Sequence, residues 1–330
     1  MHRKRHNAVA VVVLMIALVT VACAPPGTAT TIPVRLVRLG AGPKTTVVIT
    51  AGGGAAVRVL LDTGSSGLVL HESAFGPQRT STGKTITVTY VGLEITAGVV
   101  RAPVAFPQAA TPLATPAVEV ASFGGELPPN LAATGASGIL GIAPGTAAAA
   151  RPALLSPLVQ LPAPFSGGFA LDGVRPDRPE ATLTVGAVAV RPGSVTIPLT
   201  RADFGYPGGS PGYRKTFPLC WTIGPAEACG PTSADTGAPR GIVASGLVPD
   251  APHANGYVTT ATPITIRSGA TTLCAFETSP GDSPRFLDHP VLNTGIRFFF
   301  ANAVGYDLVR GLVVITPNGG DPVSGSGRQL

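Results

Sequence analysis

Apolar residues along this chain come in short bursts, most of which alternate with polar positions at a period of two. Val34-Arg35-Leu36-Val37 and Thr45-Thr46-Val47-Val48-Ile49-Thr50 open the series. Ile86, Val88 and Tyr90 then share one side of a segment whose return carries Ile95, Val99 and Val104, which predicts a hairpin over 85–104 bending at Val91-Gly92. Ala136 to Ile142 reads as a buried apolar strand between glycines, followed by strands at 168–171 and 181–186. In the second half, 194–199, 241–243, 264–266, 298–300 and 312–315 are strand candidates, with 201–213 as an exposed loop. One stretch, 147–161, suits a short helix, limited by Pro152 and Pro157. Period two dominates, so the expected fold class is all-β.

Composition strengthens that reading. The chain has 42 Gly and 34 Pro among 330 residues, and Val, Thr, Ile and Leu dominate the apolar segments. Gly and Pro interrupt helices, whereas β-branched side chains suit a pleated sheet. The length is enough for two lobes. The pattern resets between Gly186 and Gly193, which places an N-terminal lobe at 34–188 and a C-terminal lobe at 189–316, with a disordered tail at 317–330.

Charge excludes one class of partner. The formal net charge is +6, but Arg3, Lys4 and Arg5 fall in a targeting segment, so the mature chain is near +3. Its positive residues are dispersed and form no basic run, so no nucleic-acid partner is expected. His2-Arg3-Lys4-Arg5 is a positive n-region, and Ala8–Ala22 is an apolar stretch too short to span a bilayer comfortably. Residues 1–22 read as a signal peptide ending in Val19-Thr20-Val21-Ala22-Cys23, which resembles a bacterial lipobox with Cys23 as the lipidated residue. Export with lipid anchoring to the membrane is favoured over simple secretion, with residues 23–33 as a polar tether.

One tripeptide organises the rest. Asp62-Thr63-Gly64, followed by Ser65-Ser66-Gly67, lies between the apolar runs 57–61 and 68–70, so a strand delivers an aspartate into a tight turn. A lone copy would be an ordinary Asx turn. The tripeptide recurs at Asp235-Thr236-Gly237, again before an apolar segment. Two carboxylates on two equivalent turns are what a symmetric two-carboxylate catalyst needs.

With Cys23 lipidated, Cys220, Cys229 and Cys274 remain, and an exported chain is expected to form one disulfide and leave one thiol. All three pairings are open. No His stands near these cysteines at zinc-ligand spacing, so no metal is expected.

Together these segments resemble a pepsin-type aspartic protease. Tyr90 with Gly92 resembles the flap, Gly138-Ile139-Leu140-Gly141 the strand behind the first catalytic loop, and Leu183-Thr184-Val185-Gly186 the end of the first lobe. Gly295 to Ile315, with Phe298-Phe299-Phe300 and Tyr306-Asp307, resembles the closing strands of the second. Composition and export signal make the chain similar to the aspartic proteases of mycobacterial cell surfaces. It departs from the pepsin pattern at Ala238 and Pro239, which replace hydroxyl residues, at Asn293, which replaces a glycine, and in the residue directly after Tyr90. Asn293 is expected to tolerate a left-handed backbone there.

The resemblance implies a bilobal fold with two barrel-type lobes around a cleft, and an exported monomeric endopeptidase that acts on protein or peptide without a cofactor. Asp62 and Asp235 would be the catalytic pair. Thr63 and Thr236 would tie the two loops together, and Gly64, Ser65 and Gly237 would hydrogen-bond near the carboxylates. Tyr90 would close over substrate. A serine hydrolase is disfavoured, because no histidine completes a triad and no Gly-x-Ser-x-Gly elbow occurs. A binding or adhesion lipoprotein on the same scaffold is the alternative.

Overall fold

The computed structural model describes residues 29–39, 42–90, 93–145 and 154–318. The signal segment, Cys23, the Val91-Gly92 bend, residues 147–153 of the expected helix and positions 319–330 of the expected tail lie outside them.

The fold is all-β. The alternating bursts become strands because each buries one face: Ala29–Val37 alternates exposed and buried along its length, with Ile32 and Val34 in the core. It begins five residues earlier than the apolar pattern suggested, because Ala29 to Arg35 pair with Gly186 to Glu180 of the strand Glu180–Gly186. Part of the expected tether is therefore sheet.

Two large sheets form. The first runs through Val195–Pro198, Leu312–Pro317, Asn302–Asp307, Gly168–Asp172, Glu180–Gly186, Ala29–Val37, Lys44–Ala51, Val57–Asp62, Gly138–Ile142, Ser66–His71, Val118–Phe123, Leu93–Ala102 and Thr80–Tyr90, in that order. Three of its strands come from the C-terminal part of the chain, so sheet pairing joins the two halves across the expected boundary. The second sheet holds the strands from Phe217–Ile223 to Leu292–Asn293.

Each sheet repeats one device around an Asp-Thr-Gly turn. Gly138–Ile142 pairs parallel with Val57–Asp62 and antiparallel with Ser66–His71, so it is wedged between the two strands that flank the first turn. Its glycines permit the wedge: a Cβ on Gly138 would lie 2.2 Å from the Val69 carbonyl oxygen, and one on Gly141 would lie 2.7 Å from the Ser65 carbonyl carbon. Leu292–Asn293 does the same in the second sheet, parallel to Ala226–Ser233 and antiparallel to Ile242–Ala244. Both turns are thereby held from behind by a buried strand.

Four local expectations are corrected. Phe298–Phe300 is not a strand but part of the helix Arg297–Ala301. Phe298 and Phe299 are adjacent and both fully buried, which a one-sided strand cannot achieve, and an apolar run alone does not separate the two states. Residues 201–213 are not an exposed loop but a hairpin, Arg201–Gly205 with Pro211–Tyr213. Its aromatics override the Gly-Pro signal, since Tyr206 and Tyr213 are buried and the Tyr206 hydroxyl donates to the Pro144 carbonyl at 2.6 Å. Within the expected helix the described part contains only a 3₁₀ turn, Pro157–Gln160. Pro317, assigned to the tail, closes the strand Leu312–Pro317.

The hairpin over 85–104 forms as expected, as Thr80–Tyr90 against Leu93–Ala102. Ile86, Val88, Ile95, Ala97 and Val99 face a separate apolar cluster with Leu60, Val69 and Ile139, and Tyr90 packs at its edge. The hairpin is thus anchored on the strands that carry the first Asp-Thr-Gly.

Candidate active site

Asp62 ends a strand whose last four residues are all buried, so its carboxylate enters the interior with the turn. The Gly64 N–H donates to Asp62 Oδ1 at 2.8 Å, and the Ser65 hydroxyl reaches Asp62 Oδ2 at 2.5 Å. Asp235 is held alike: the Gly237 N–H donates to its Oδ1 at 2.7 Å and the Ala238 N–H to the same oxygen at 3.1 Å. Each aspartate is thus oriented by its own turn.

The two turns interlock through their threonines. The Thr63 hydroxyl donates to the Ala234 carbonyl (2.9 Å) and accepts from the Thr236 N–H (2.9 Å). Reciprocally, the Thr236 hydroxyl donates to the Leu61 carbonyl (2.8 Å) and accepts from the Thr63 N–H (3.2 Å). Both threonines are buried, so these four bonds are shielded from competing water.

The glycines set the approach of the carboxylates. A Cβ on Gly64 would lie 2.3 Å from Asp235 Cγ, and one on Gly237 would lie 2.4 Å from Asp62 Oδ1. Each glycine therefore vacates the space that the opposite carboxylate occupies. Burial pushes the Asp62 carboxyl up to about 7, and the Asp235 charge beside it acts in the same direction.

Sequence reasoning missed three partners. Lys44, at the start of the strand Lys44–Ala51, donates to the Gly237 carbonyl, and Lys215 donates to the Gly64 carbonyl at 2.5 Å. Each lysine comes from one half of the chain and caps the turn of the other. Burial lowers the Lys44 pKa, while the charges of Asp62 and Asp235 partly oppose that shift. One signal was available: the chain has only four lysines, and two of them are these.

Asn293 is the third. It was expected to serve a left-handed backbone, but the described non-glycine residues with positive φ are Asn255 and Ala261, and it is Gly295 that takes φ +61°. The Asn293 side chain instead donates through Nδ2 to Asp235 Oδ2 at 2.5 Å and accepts from the Gly295 N–H at 2.8 Å.

Tyr90 ends its strand with its hydroxyl buried and without a hydrogen-bond partner among the described residues. Burial, followed by the Asp62 charge, raises its pKa, which keeps the phenol neutral. The structure therefore brings Asp62, Thr63, Gly64, Ser65, Asp235, Thr236 and Gly237 into one cluster with Tyr90 beside it. The cysteines lie elsewhere: Cys220 and Cys229 form a disulfide across facing strands, and Cys274 is a buried free thiol whose pKa burial pushes up to about 11. Among the described residues, no group of three or more His, Cys, Asp or Glu is placed to hold a metal ion.

An all-β chain whose two Asp-Thr-Gly turns meet through their threonines belongs to the aspartic-peptidase-like class. The sequence matches the family described as the PE-PGRS C-terminal aspartyl peptidase-like domain over residues 30–307, and the chain belongs to that family. The relationship is to this mycobacterial aspartic-protease-like family and not specifically to pepsin. No curated protein matches the chain.

Proposed function

We propose that this protein is an exported aspartic endopeptidase in which Asp62 and Asp235 activate a water molecule against a peptide carbonyl. The observation that carries the reading is the mutual approach of the two carboxylates, each lying where the other turn's glycine has no side chain. Two carboxylates this close, one buried and one half-buried, cannot both ionise cheaply, so they share one proton. The ionised member takes a proton from the water as its oxygen attacks the carbonyl carbon, and the protonated member donates to the carbonyl oxygen. The tetrahedral species is neutral, and no covalent enzyme intermediate forms.

In this reading the strands around the two Asp-Thr-Gly turns build two lobes that flank a cleft and share the first sheet, the hairpin bearing Tyr90 closes over the bound peptide, and the protein works as a monomer without a cofactor. Residues 1–22 direct export, and lipid on Cys23 holds the mature chain at the cell membrane. Cleavage of a mixed peptide library between pH 3 and 8 tests the catalytic reading. Wild type cuts, whereas Asp62→Asn and Asp235→Asn each lose cutting. A folded wild type that cleaves nothing at any pH points instead to a binding protein on this scaffold. Radiolabelled fatty acid incorporated by wild type and not by Cys23→Ala tests the anchor.

A further inference from the structure

The two turns of this site differ in the groups that meet their carboxylates. Ser65 follows the first Asp-Thr-Gly and puts a hydroxyl on Asp62 Oδ2. Ala238 follows the second and has no side-chain donor for Asp235, so the corresponding oxygen, Oδ2, receives its hydrogen bond from Asn293 on the wedged strand Leu292–Asn293. The replacement is not equivalent. A serine hydroxyl can donate to a carboxylate or, by rotating, accept from a carboxylic acid. An amide nitrogen can only donate, and the Asn293 amide is pinned in this orientation because its Oδ1 accepts from the Gly295 N–H at 2.8 Å.

Asp235 is thus surrounded by three groups that can only donate, the Gly237 and Ala238 N–H groups and Asn293 Nδ2. Asp62 has one such donor, the Gly64 N–H, and one reversible partner, Ser65. Donors to a carboxylate favour its charged form. Burial acts on the same side: Asp62 is 6% exposed, whereas Asp235 is only half-buried, so charge costs more on Asp62. The other charged or titratable groups facing the pair do not reverse this. Lys44 faces both carboxylates, and Lys215 is taken up by the Gly64 carbonyl. Tyr90 beside Asp62 and Tyr306 beside Asp235 both have raised pKa values, chiefly through burial, and stay neutral.

We propose that Asn293 is a positioning residue that fixes the single negative charge of the pair on Asp235 and leaves the shared proton on Asp62. Resting on the peptidase reading, this assigns the two roles. Asp235 accepts the proton of the attacking water while Asp62 protonates the carbonyl oxygen, leaving Asp62 charged and Asp235 protonated. On collapse the C–N bond breaks, the leaving nitrogen takes the proton from Asp235, and a hydroxyl of the tetrahedral carbon returns its proton to Asp62.

Carboxyl-carbon NMR of protein labelled at the aspartate side chains tests the assignment without any substrate. Asp62→Asn and Asp235→Asn identify the two signals. At pH 5 the Asp62 signal of wild type is expected at the position of a protonated carboxyl and that of Asp235 at the position of a carboxylate. In Asn293→Leu, which keeps the volume and removes the donor, the Asp235 signal at pH 5 is expected to move toward the protonated position, and the acid limb of kcat/KM to higher pH. Wild type with the proton on Asp235, or an Asn293→Leu variant with unchanged ionisation, overturns the proposal. If that variant does not fold, the wild-type signals decide alone. Absence of peptide cleavage defeats the peptidase reading and leaves the NMR result standing, so the two failures are separable.

Discussion

Gly64 and Asp235 compete for the same space: a methyl group on Gly64 would sit 2.3 Å from Asp235 Cγ and 2.5 Å from both of its carboxylate oxygens. The contact crosses from one half of the chain to the other. Gly64→Ala must therefore push the Asp235 carboxylate or separate the two turns, an overpacking cost of about 1–3 kcal/mol. Peptide cleavage is expected to fall at least about a hundredfold, since a displacement near 1 Å is enough for that. Thermal melts should show a folded protein with a lowered Tm. Gly237→Ala, which meets Asp62 Oδ1 at 2.4 Å, should match it.

The threonine interlock predicts a stability effect shared between two sites. Thr236→Val removes the hydroxyl that donates to the Leu61 carbonyl and accepts from the Thr63 N–H, leaving both buried groups without this partner. A loss of about 1–3 kcal/mol is expected in urea unfolding, chiefly from the Thr63 N–H, because the Leu61 carbonyl keeps a hydrogen bond from the Thr45 hydroxyl at 2.8 Å. Thr63→Val should cost a similar amount. Because both variants break one network, the double variant should be less destabilised than the sum of the two, and a double-mutant cycle measures the difference.

Much of this architecture was legible because its signals are local. Strand after strand reports itself by alternation, and the repeated Asp-Thr-Gly marks both turns. What escaped depends on contacts between residues distant in sequence. Lys44 and Gly237 are 193 positions apart, and Asn293 and Asp235 are 58 apart, so no periodicity links them. The helix at Arg297–Ala301 was hidden because three consecutive phenylalanines suit a buried strand and a buried helix equally. The hairpin at 201–213 was hidden because its stability comes from the Tyr206 contact with Pro144, while its own composition reads as loop. The disulfide choice needed the register that sets Cys220 opposite Cys229.

The raised Asp62 pKa sets a direction for pH. Its folded value of about 7 lies above the 3.8 of an unperturbed aspartate, so between those values the folded state holds more protons than the unfolded one. Stability from this group is therefore full below about pH 4 and is lost as pH rises toward 7. The difference in Tm between Asp62→Asn and wild type should grow in favour of the variant from pH 4 to pH 7.5. Peptide cleavage should fall above about pH 7, where the proton that the reaction needs is gone. A variant whose Tm tracks wild type across this range would contradict the assignment.

Lys44 and Lys215 make similar bonds and should nonetheless behave differently. Each caps the glycine carbonyl of the opposite turn, but Lys44 also faces Asp62 and Asp235. A cation beside a carboxylate favours ionisation, so removing it raises the proton affinity of the pair. Lys44→Met is expected to move both limbs of the kcat/KM profile to higher pH, by about one unit, and Lys44→Arg should leave them closer to wild type. Lys215→Met loses a hydrogen bond to the Gly64 carbonyl, for which about 1–3 kcal/mol of stability is expected, with the limbs in place. Profiles of the three variants, taken with urea unfolding, separate a charge acting on the carboxylates from a brace acting on the turn. Equal limb shifts in Lys44→Met and Lys215→Met would mean that both lysines act only through turn geometry.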